Sequence, residues 1–432
     1  MYFFAMICFI APNPDKEPQK DGYLQRVSAI DRIFSDKDRR YLCDAATPQE
    51  KAEWLSSSSM IYVQSIYRSK EILPLYPVYK DKIITDLHGV VPEELDYLGN
   101  KNAAEEMQRV ESEVFKYGKY FVAVTETMVE HYRAKYHLDD SVKWIVLPIF
   151  DSVEVAPRTE KTGGRPEVIY AGGLQRWQCP ELMIQAVEKA KNYDYVFYTH
   201  QPRELSDKLA EIDGATASVR SGSKEEVFEA YKCADLGLLL REDHVLNRVS
   251  CPTKLIEYLT FGIVPVILSS KIGDFEKLGY SYVQYDRFLS NDLSSAEIET
   301  CRQNNYEVAR KLHKVTENGI LVLRQYFDAL ENRHRCSDAL TESLTAQIII
   351  NSELKDTQAR LTRQIDDMDA QIADLRRALN EQNDVIVSQQ EKLSEQRRSI
   401  DNMINSKRWQ LGELLHNPTN IKRFFSKPHV GE

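Results

Sequence analysis

The stretch that decides the fold runs from Asn247 to Ile267, NRVSCPTKLIEYLTFGIVPVI. It follows a fully apolar strand candidate, Leu236-Gly237-Leu238-Leu239-Leu240, and a polar loop that begins Arg241-Glu242-Asp243-His244. After it comes a second apolar strand candidate, Ile263-Val264-Pro265-Val266-Ile267. Strand, loop, helix and strand in that order make a βαβ unit and hence a parallel sheet. The helix opens on Ser250, Thr253 and Lys254 beside first-turn N–H groups, a combination that can cradle a diphosphate. Glu257 lies one turn beyond Thr253, where a carboxylate can accept hydrogen bonds from a sugar diol. A capped surface helix with a solvated glutamate would read the same way if it stood alone.

The same rhythm extends upstream. Glu167-Val168-Ile169-Tyr170-Ala171 reads as the first strand of this unit, followed by Gly172-Gly173 and a helix from about Pro180 to Lys191. Strands are expected at Tyr195 to Tyr198 and Ala217 to Val219, and Ser223-Lys224-Glu225-Glu226 has capping-box spacing ahead of a helix carrying Val227, Phe228 and Tyr231. The polar, Gly/Pro-bearing segment 151–166 reads as a linker. Before it, residues 1–150 alternate strand candidates (Met60 to Val63, Lys82 to Thr85, Tyr120 to Val124, Trp144 to Leu147) with helix candidates (Glu105 to Tyr117, Glu126 to Lys135). The opening run MYFFAMICFIA is about half the ~20 residues a membrane-spanning helix needs and has no positively charged lead, so it reads as a buried parallel strand. The expectation is a cytoplasmic protein that does not span a membrane.

Composition excludes several classes. The 432 residues, 42% hydrophobic and 28% charged, suffice for two or three domains with sizeable cores. With 56 Lys+Arg against 66 Asp+Glu the formal charge is −10, which argues against a general grip on nucleic acid. The 7 cysteines are odd in number and scattered without metal-ligand spacing, as free thiols in a reducing compartment are. Neither a disulfide scaffold nor a metal site is expected.

Beyond Gly319 neither glycine nor proline occurs until Gly412, which favours continuous helix. From Leu354 a seven-residue repeat appears, with Leu354, Leu361, Met368, Leu375, Gln382, Gln389, Gln396 and Met403 on one seam and Ile365, Ile372, Leu379, Ile386, Leu393 and Ile400 on the other. That is a coiled-coil pattern over residues 354–403 within a segment 331–406, and it predicts a homo-oligomer, with a helix folded back on the body as the alternative. The tail 407–432 mixes Lys407, Arg408 and Trp409 with Arg423, Phe424 and Phe425. It suits either a peripheral membrane contact or a docking segment.

Tandem doubly wound domains bind ligands in the cleft between them, at the carboxyl ends of strands. Four such places stand out: Gly172-Gly173, the run from Arg241 to Glu257, Thr85-Asp86-Leu87-His88-Gly89, and Asp21-Gly22-Tyr23-Leu24-Gln25-Arg26. The paired glycines let N–H groups approach a phosphate, although a turn alone also uses Gly-Gly, and the pattern is not the G-x-G-x-x-G dinucleotide fingerprint. His88 can position a hydroxyl or share its proton, and Gly22 can let a ligand or opposing loop approach.

Taken in order, VIYAGGLQRW (168–177), EEVFEAYKCADLGLLL (225–240) and NRVSCPTKLIEYLTFGIVPVI resemble the GT-B glycosyltransferases, in particular the retaining family 4, over roughly residues 1–330. The resemblance implies two Rossmann-like α/β domains, an acceptor-side domain 1–150 and a nucleotide-sugar donor domain 167–330, with the helical extension behind them. It places Gly172 and Gly173 at the donor diphosphate, Ser250 to Lys254 in the phosphate-facing loop and helix start, Glu257 at the donor ribose, His88 near the reacting centre and Gly22 facing the cleft. The family usually carries two glutamates eight positions apart, but Val249 stands eight before Glu257. Gly173 and Gln178 stand where Arg and Lys are common, which leaves Arg176, Arg241, Arg248 and Lys254 as the cations for the phosphates.

The expectation is a transferase that moves a sugar with retention from a nucleotide-sugar to a glycan or lipid-linked acceptor in cell-surface polysaccharide synthesis. It needs no cofactor and no metal, and works in the cytoplasm or at the inner face of the cell membrane. The alternatives are an inactive scaffold acting through its coiled coil, or a nucleotide-sugar epimerase on the same fold.

Overall fold

Short apolar strands alternate with helices through most of the first 290 positions, and all strand pairs are parallel, so helices must cover both faces of each sheet. The computed structural model describes residues 6–16, 22–148, 155–156, 158–159, 164–214, 216–333 and 339–406, together with Gly412 and His416. The first sheet contains β1 (Met6–Ile10), β2 (Asp38–Tyr41), β3 (Met60–Gln64), β4 (Ile83–Leu87), β5 (Tyr120–Ala123) and β6 (Lys143–Val146), in the order β2-β1-β3-β4-β5-β6. The second contains β7 (Glu167–Ala171), β8 (Asp194–Tyr198), β9 (Thr216–Arg220), β10 (Leu236–Leu239), β11 (Val264–Ile267) and β12 (Val283–Gln284), in the order β12-β11-β10-β7-β8-β9. This is the expected pair of doubly wound α/β sheets with a long helical extension.

Strand order reverses between β1 and β3 and again between β7 and β10. At such switch points the connections leave to opposite sides and a crevice opens at the carboxyl ends of the strands. Gln64 and Ser65 end β3 at the first; Gly172, Gly173 and Arg241 follow β7 and β10 at the second. The strand β2, Asp-Arg-Arg-Tyr, was not legible as a strand, because its composition is that of a loop. It is held by parallel pairing of Met6 to Phe9 with Asp38 to Tyr41 and by stacking of Tyr41 on Phe9 at 5.2 Å. Its charges suit the edge position it occupies.

Two features join the halves. The helix Ser295–Arg333 starts on the second half, where Ile298 is buried and Arg302 donates to the Gly262 carbonyl at 2.9 Å and to Asp235 at 3.0 Å. It ends on the first, where Leu323, Phe327 and Leu330 are buried with Ile7, Phe9 and Tyr62. Between them Gly319 passes so close to β6 that a Cβ there would lie 2.5 Å from the Val146 carbonyl oxygen. The second join is a cap: the Asp274 carboxylate accepts from the N–H groups of Glu126 (2.6 Å) and Thr127 (2.9 Å) at the start of the helix Glu126–Tyr136. Negative charge is favoured at a helix N-terminus.

The helix Ala339–Ile404 begins on the same body, with Thr345 and Ile349 buried. From Glu353 onward it forms a unit by itself, and its heptad side chains are exposed, Leu361 at 51% and Ile372 at 47% among them. No helix among the described residues is long and apolar enough to cross a membrane. Most of the linker 151–166 and nearly all of the basic, aromatic tail 407–432 lie outside the described residues, as do Met1 to Ala5.

Candidate functional site

The second switch point gathers cations. Lys254, in the first turn of the helix Thr253–Thr260, lays its Nζ 3.6 Å from the centroid of the Tyr170 ring. It can do so because position 172 has no side chain: a Cβ on Gly172 would lie 2.7 Å from Lys254 Nζ. That nitrogen is buried and has no hydrogen-bond partner, and the same is true of Arg241 Nε. Arg241 reaches only Asn247 Oδ1, at 3.4 Å, and neither cation forms an ion pair among the described residues. Burial, and secondarily the nearness of Arg241, holds the Lys254 ammonium well below its ordinary range; burial likewise lowers Arg241. Two desolvated cations that repel one another carry charge that no carboxylate among the described residues neutralises, an arrangement that can receive an anion.

The elements around them add backbone N–H groups and hydroxyls of the kind that can face an anion. Pro252 precedes the helix Thr253–Thr260 without a side-chain cap, so no cap competes for its first N–H groups. Ser250 donates its hydroxyl to the Asn247 carbonyl at 3.1 Å, which folds the loop back just before the helix. Gly173 follows on the backbone, its carbonyl taken by the Tyr170 hydroxyl. Glu257, one turn on, accepts from the Tyr231 hydroxyl at 3.3 Å, and burial raises its carboxyl above the usual range. One carboxylate edge is thus held by a tyrosine among aromatic side chains.

Gly22 meets this half directly, since a Cβ there would lie 3.9 Å from Thr253 Oγ1. Gly22 opens the helix Gly22–Ile33, whose next residue, Tyr23, sets its ring 5.4 Å from that of His88 at the end of β4. Gly22 and Tyr23 therefore bridge between the helix Thr253–Thr260 and the histidine. His88 Nδ1 is buried and unpartnered, and burial pushes the imidazole below 6.5, so it is neutral at neutral pH; Asp86 offsets this in part. Beneath it, Arg26 makes a bidentate pair with Asp86 (2.9 Å for both bonds) and donates to the carbonyls of Leu147 (2.9 Å) and Pro148 (3.0 Å). Both are buried, Arg26 at 2% and Asp86 at 0% exposure, so this pair fixes the end of β4 from which His88 projects.

The remaining sequence candidates lie apart from the Arg241–Lys254 pair. Arg176 is exposed and stacks over Tyr97 of the first half at 5.6 Å, and Tyr97 donates to Glu242 at 3.3 Å. Arg248 is exposed and ion-paired with Asp243 at 2.6 Å. Val249 is buried, and its carbonyl accepts from Thr125 Oγ1 at 2.7 Å, so the position where the resembled family carries its first glutamate serves as packing between the halves. Among the described residues no group of three or more His, Cys, Asp or Glu could hold a metal ion. Arg26 and Asp86 fall inside two of the stretches the sequence marks, but their pairing is not among its expectations, although a lone acid inside the apolar run Ile83-Ile84-Thr85-Asp86-Leu87 is the signal that a buried partner exists.

No family model matches the chain, and no curated protein matches it. Solved structures match in fold. A sucrose-phosphate synthase from Thermosynechococcus elongatus is 11% identical with a TM-score of 0.56, over 75% of this chain and 100% of that one. Alr3699/HepE from Anabaena, in complex with UDP and glucose, is 8% identical with a TM-score of 0.53, over 74% of this chain and 100% of that one. At these identities the likeness is one of architecture: two parallel six-stranded sheets with flanking helices, the GT-B fold.

Proposed function

We propose that the chain is a glycosyltransferase that takes a sugar from a nucleotide-sugar donor and passes it, with retention of configuration, to a glycan or lipid-linked acceptor. The observation that carries this reading is the pair Arg241 and Lys254, with Arg241 Nε and Lys254 Nζ buried and unpartnered and Lys254 Nζ against Gly172, beside a helix start at the second switch point. As the bond to the sugar breaks, negative charge grows on the departing diphosphate, and cations already held in a desolvated site stabilise it without reorganising. Glu257 would receive the ribose hydroxyls, and neutral His88 would meet the transferred sugar or the attacking hydroxyl from the opposite wall. The chemistry needs no metal, because side chains supply the charge. A UDP-linked donor agrees with the UDP in the Anabaena neighbour.

Synthesis of a cell-surface polysaccharide suits a body that carries a long heptad helix, which would hold copies together through residues 354–403 on the cytoplasmic side of the membrane. One observation favours a second reading, an inactive scaffold: apolar, buried Val249 stands where the family's carboxylate would be. A thermal-shift panel of UDP, GDP, ADP and CMP separates the two. A ligand that binds only the native state raises its apparent stability by mass action. Stabilisation of the wild type by one nucleotide, diminished in Glu257→Ala, is the expected result. No shift with any of them at millimolar concentration would put the scaffold ahead.

A further inference from the structure

The first switch point has a polar edge of its own that the donor chemistry does not use. Gln64 is the last residue of β3 and Ser65 follows it; Gln64 is 1% exposed and Ser65 4%. Gln64 Nε2 and Ser65 Oγ are buried without a hydrogen-bond partner, as His88 Nδ1 is. Gln64 pairs in register with Asp86 on β4, so His88, two residues on, belongs to the same side of the sheet just past the same edge. Three hydrogen-bonding side chains at the ends of the neighbouring strands β3 and β4 are thus left without protein partners, although buried polar side chains are in the large majority satisfied.

Ser65 adds an independent observation. Its φ is +75°, in the left-handed region that glycine occupies without cost and a serine does not. The strain buys no local hydrogen bond for the hydroxyl, since only the Ser65 carbonyl is used, accepting from Ser69 Oγ at 3.2 Å. Backbone strain of this kind persists where a side chain is needed in a fixed place. We propose that Gln64 and Ser65, with His88, bind hydroxyl groups of a neutral sugar ring on the acceptor side of the cleft.

Charge decides neutral over anionic. Among the described residues the cations on these elements are engaged: Arg26 by Asp86, Arg68 by Glu71 at 2.7 Å and by the Tyr23 hydroxyl at 3.2 Å, and Lys70 by Glu106 at 2.6 Å. A phosphate or carboxylate would find no uncommitted cation among these described residues, whereas amide, hydroxyl and imidazole match the donor and acceptor pattern of sugar hydroxyls. Tyr23, in ring contact with His88, and Tyr67, 49% exposed two residues past Ser65, supply aromatic surface of the kind that apolar sugar faces lie against. The acceptor class rests on the transferase reading above; the site itself does not.

The test uses the full chain with methyl glycosides of glucose, galactose, mannose and N-acetylglucosamine, and glycerol 3-phosphate as the anionic probe, read by saturation-transfer NMR. Ser65→Gly and Gln64→Leu are compared with wild type, and a UDP thermal shift runs in parallel on each. At least one neutral glycoside should receive saturation from the wild type, fall at least five-fold in both variants, and outdo glycerol 3-phosphate. Ser65→Gly should melt at the same temperature or higher, because glycine relieves the strain, and its UDP response should match the wild type. A lower melting temperature for Ser65→Gly would make the residue structural. Unchanged glycoside signals in both variants, no glycoside signal across the panel, or a preference for glycerol 3-phosphate would each overturn the proposal. A glycoside signal lost in the variants without any UDP shift would sink the donor reading and leave this one standing.

Discussion

Replacing Lys254 with methionine should move folding and binding in opposite directions. The ammonium is buried, lacks a hydrogen-bond partner and is repelled by Arg241; its compensation is the Tyr170 ring at 3.6 Å. Burying an ion without a counter-charge costs several kcal/mol, and a desolvated cation–π contact returns about 2 kcal/mol. Methionine has a similar length and volume, and its sulfur can take over the contact with the ring. The unliganded variant should therefore be more stable by on the order of 1–2 kcal/mol, a rise in Tm on the order of 2 °C for a body of this size. Binding of UDP should weaken by roughly 10- to 150-fold, the loss of about 1.5–3 kcal/mol for a charge-assisted bond to phosphate. Differential scanning fluorimetry without ligand and calorimetric titration with UDP give the two numbers. A variant that melts lower and binds UDP as tightly as wild type would refute the assignment of Lys254 to an anion.

The same lysine predicts proton linkage: burial depresses its pKa and an anion beside it raises it, so in the pH range between its unliganded and liganded values UDP binding takes up protons, seen as a dependence of the titration heat on buffer ionisation enthalpy that Lys254→Met abolishes. His88 is held below 6.5 by burial, so its contribution to stability is complete above that pH and is lost as pH falls through the folded value; urea melts of His88→Gln should show a shallower acid limb than wild type. Asp86→Asn strands the buried Arg26 guanidinium and should cost about 3–5 kcal/mol by urea denaturation, while a loss under about 1 kcal/mol would mean that the pair is solvated. Asp274→Ala removes the acceptor of the Glu126 and Thr127 N–H groups, beside the Thr125 cap, and should cost about 1–2 kcal/mol in the same melts, coupled non-additively to Thr125→Val across the same seam.

The fold was legible where periodicity and burial agree. Val63, Ile84 and Leu238 sit in runs apolar enough to be strands buried on both faces, and these became β3, β4 and β10. The strand Asp38–Tyr41 was illegible because an edge strand needs no apolar face on its outer side, so only its pairing with β1 reveals it. Lys254 and Glu257 were legible from their place after a loop and one helical turn apart. Arg26 was not, because its partner Asp86 lies 60 residues on and spacing carries no information at that range. Ser65 escaped as well: a left-handed serine has no sequence signature, and only the backbone angle exposes it.

The returning helix fixes an order of events during synthesis. The apolar layer under the first sheet, with Ile7, Phe9, Tyr62 and Val122, is completed by Leu323, Phe327 and Leu330, which the ribosome makes last among the body's core residues on that side. The first half must therefore wait, with that face uncovered, while the whole second half is translated and folds in between. A fragment ending near residue 290 would keep the two sheets and lose the cover, and its exposed patch would make it prone to aggregate. Cutting the chain between its two apparent lobes thus leaves an unfinished one, and Gly319, by letting the helix close onto Val146, is where the late-made cover is brought back to the first sheet.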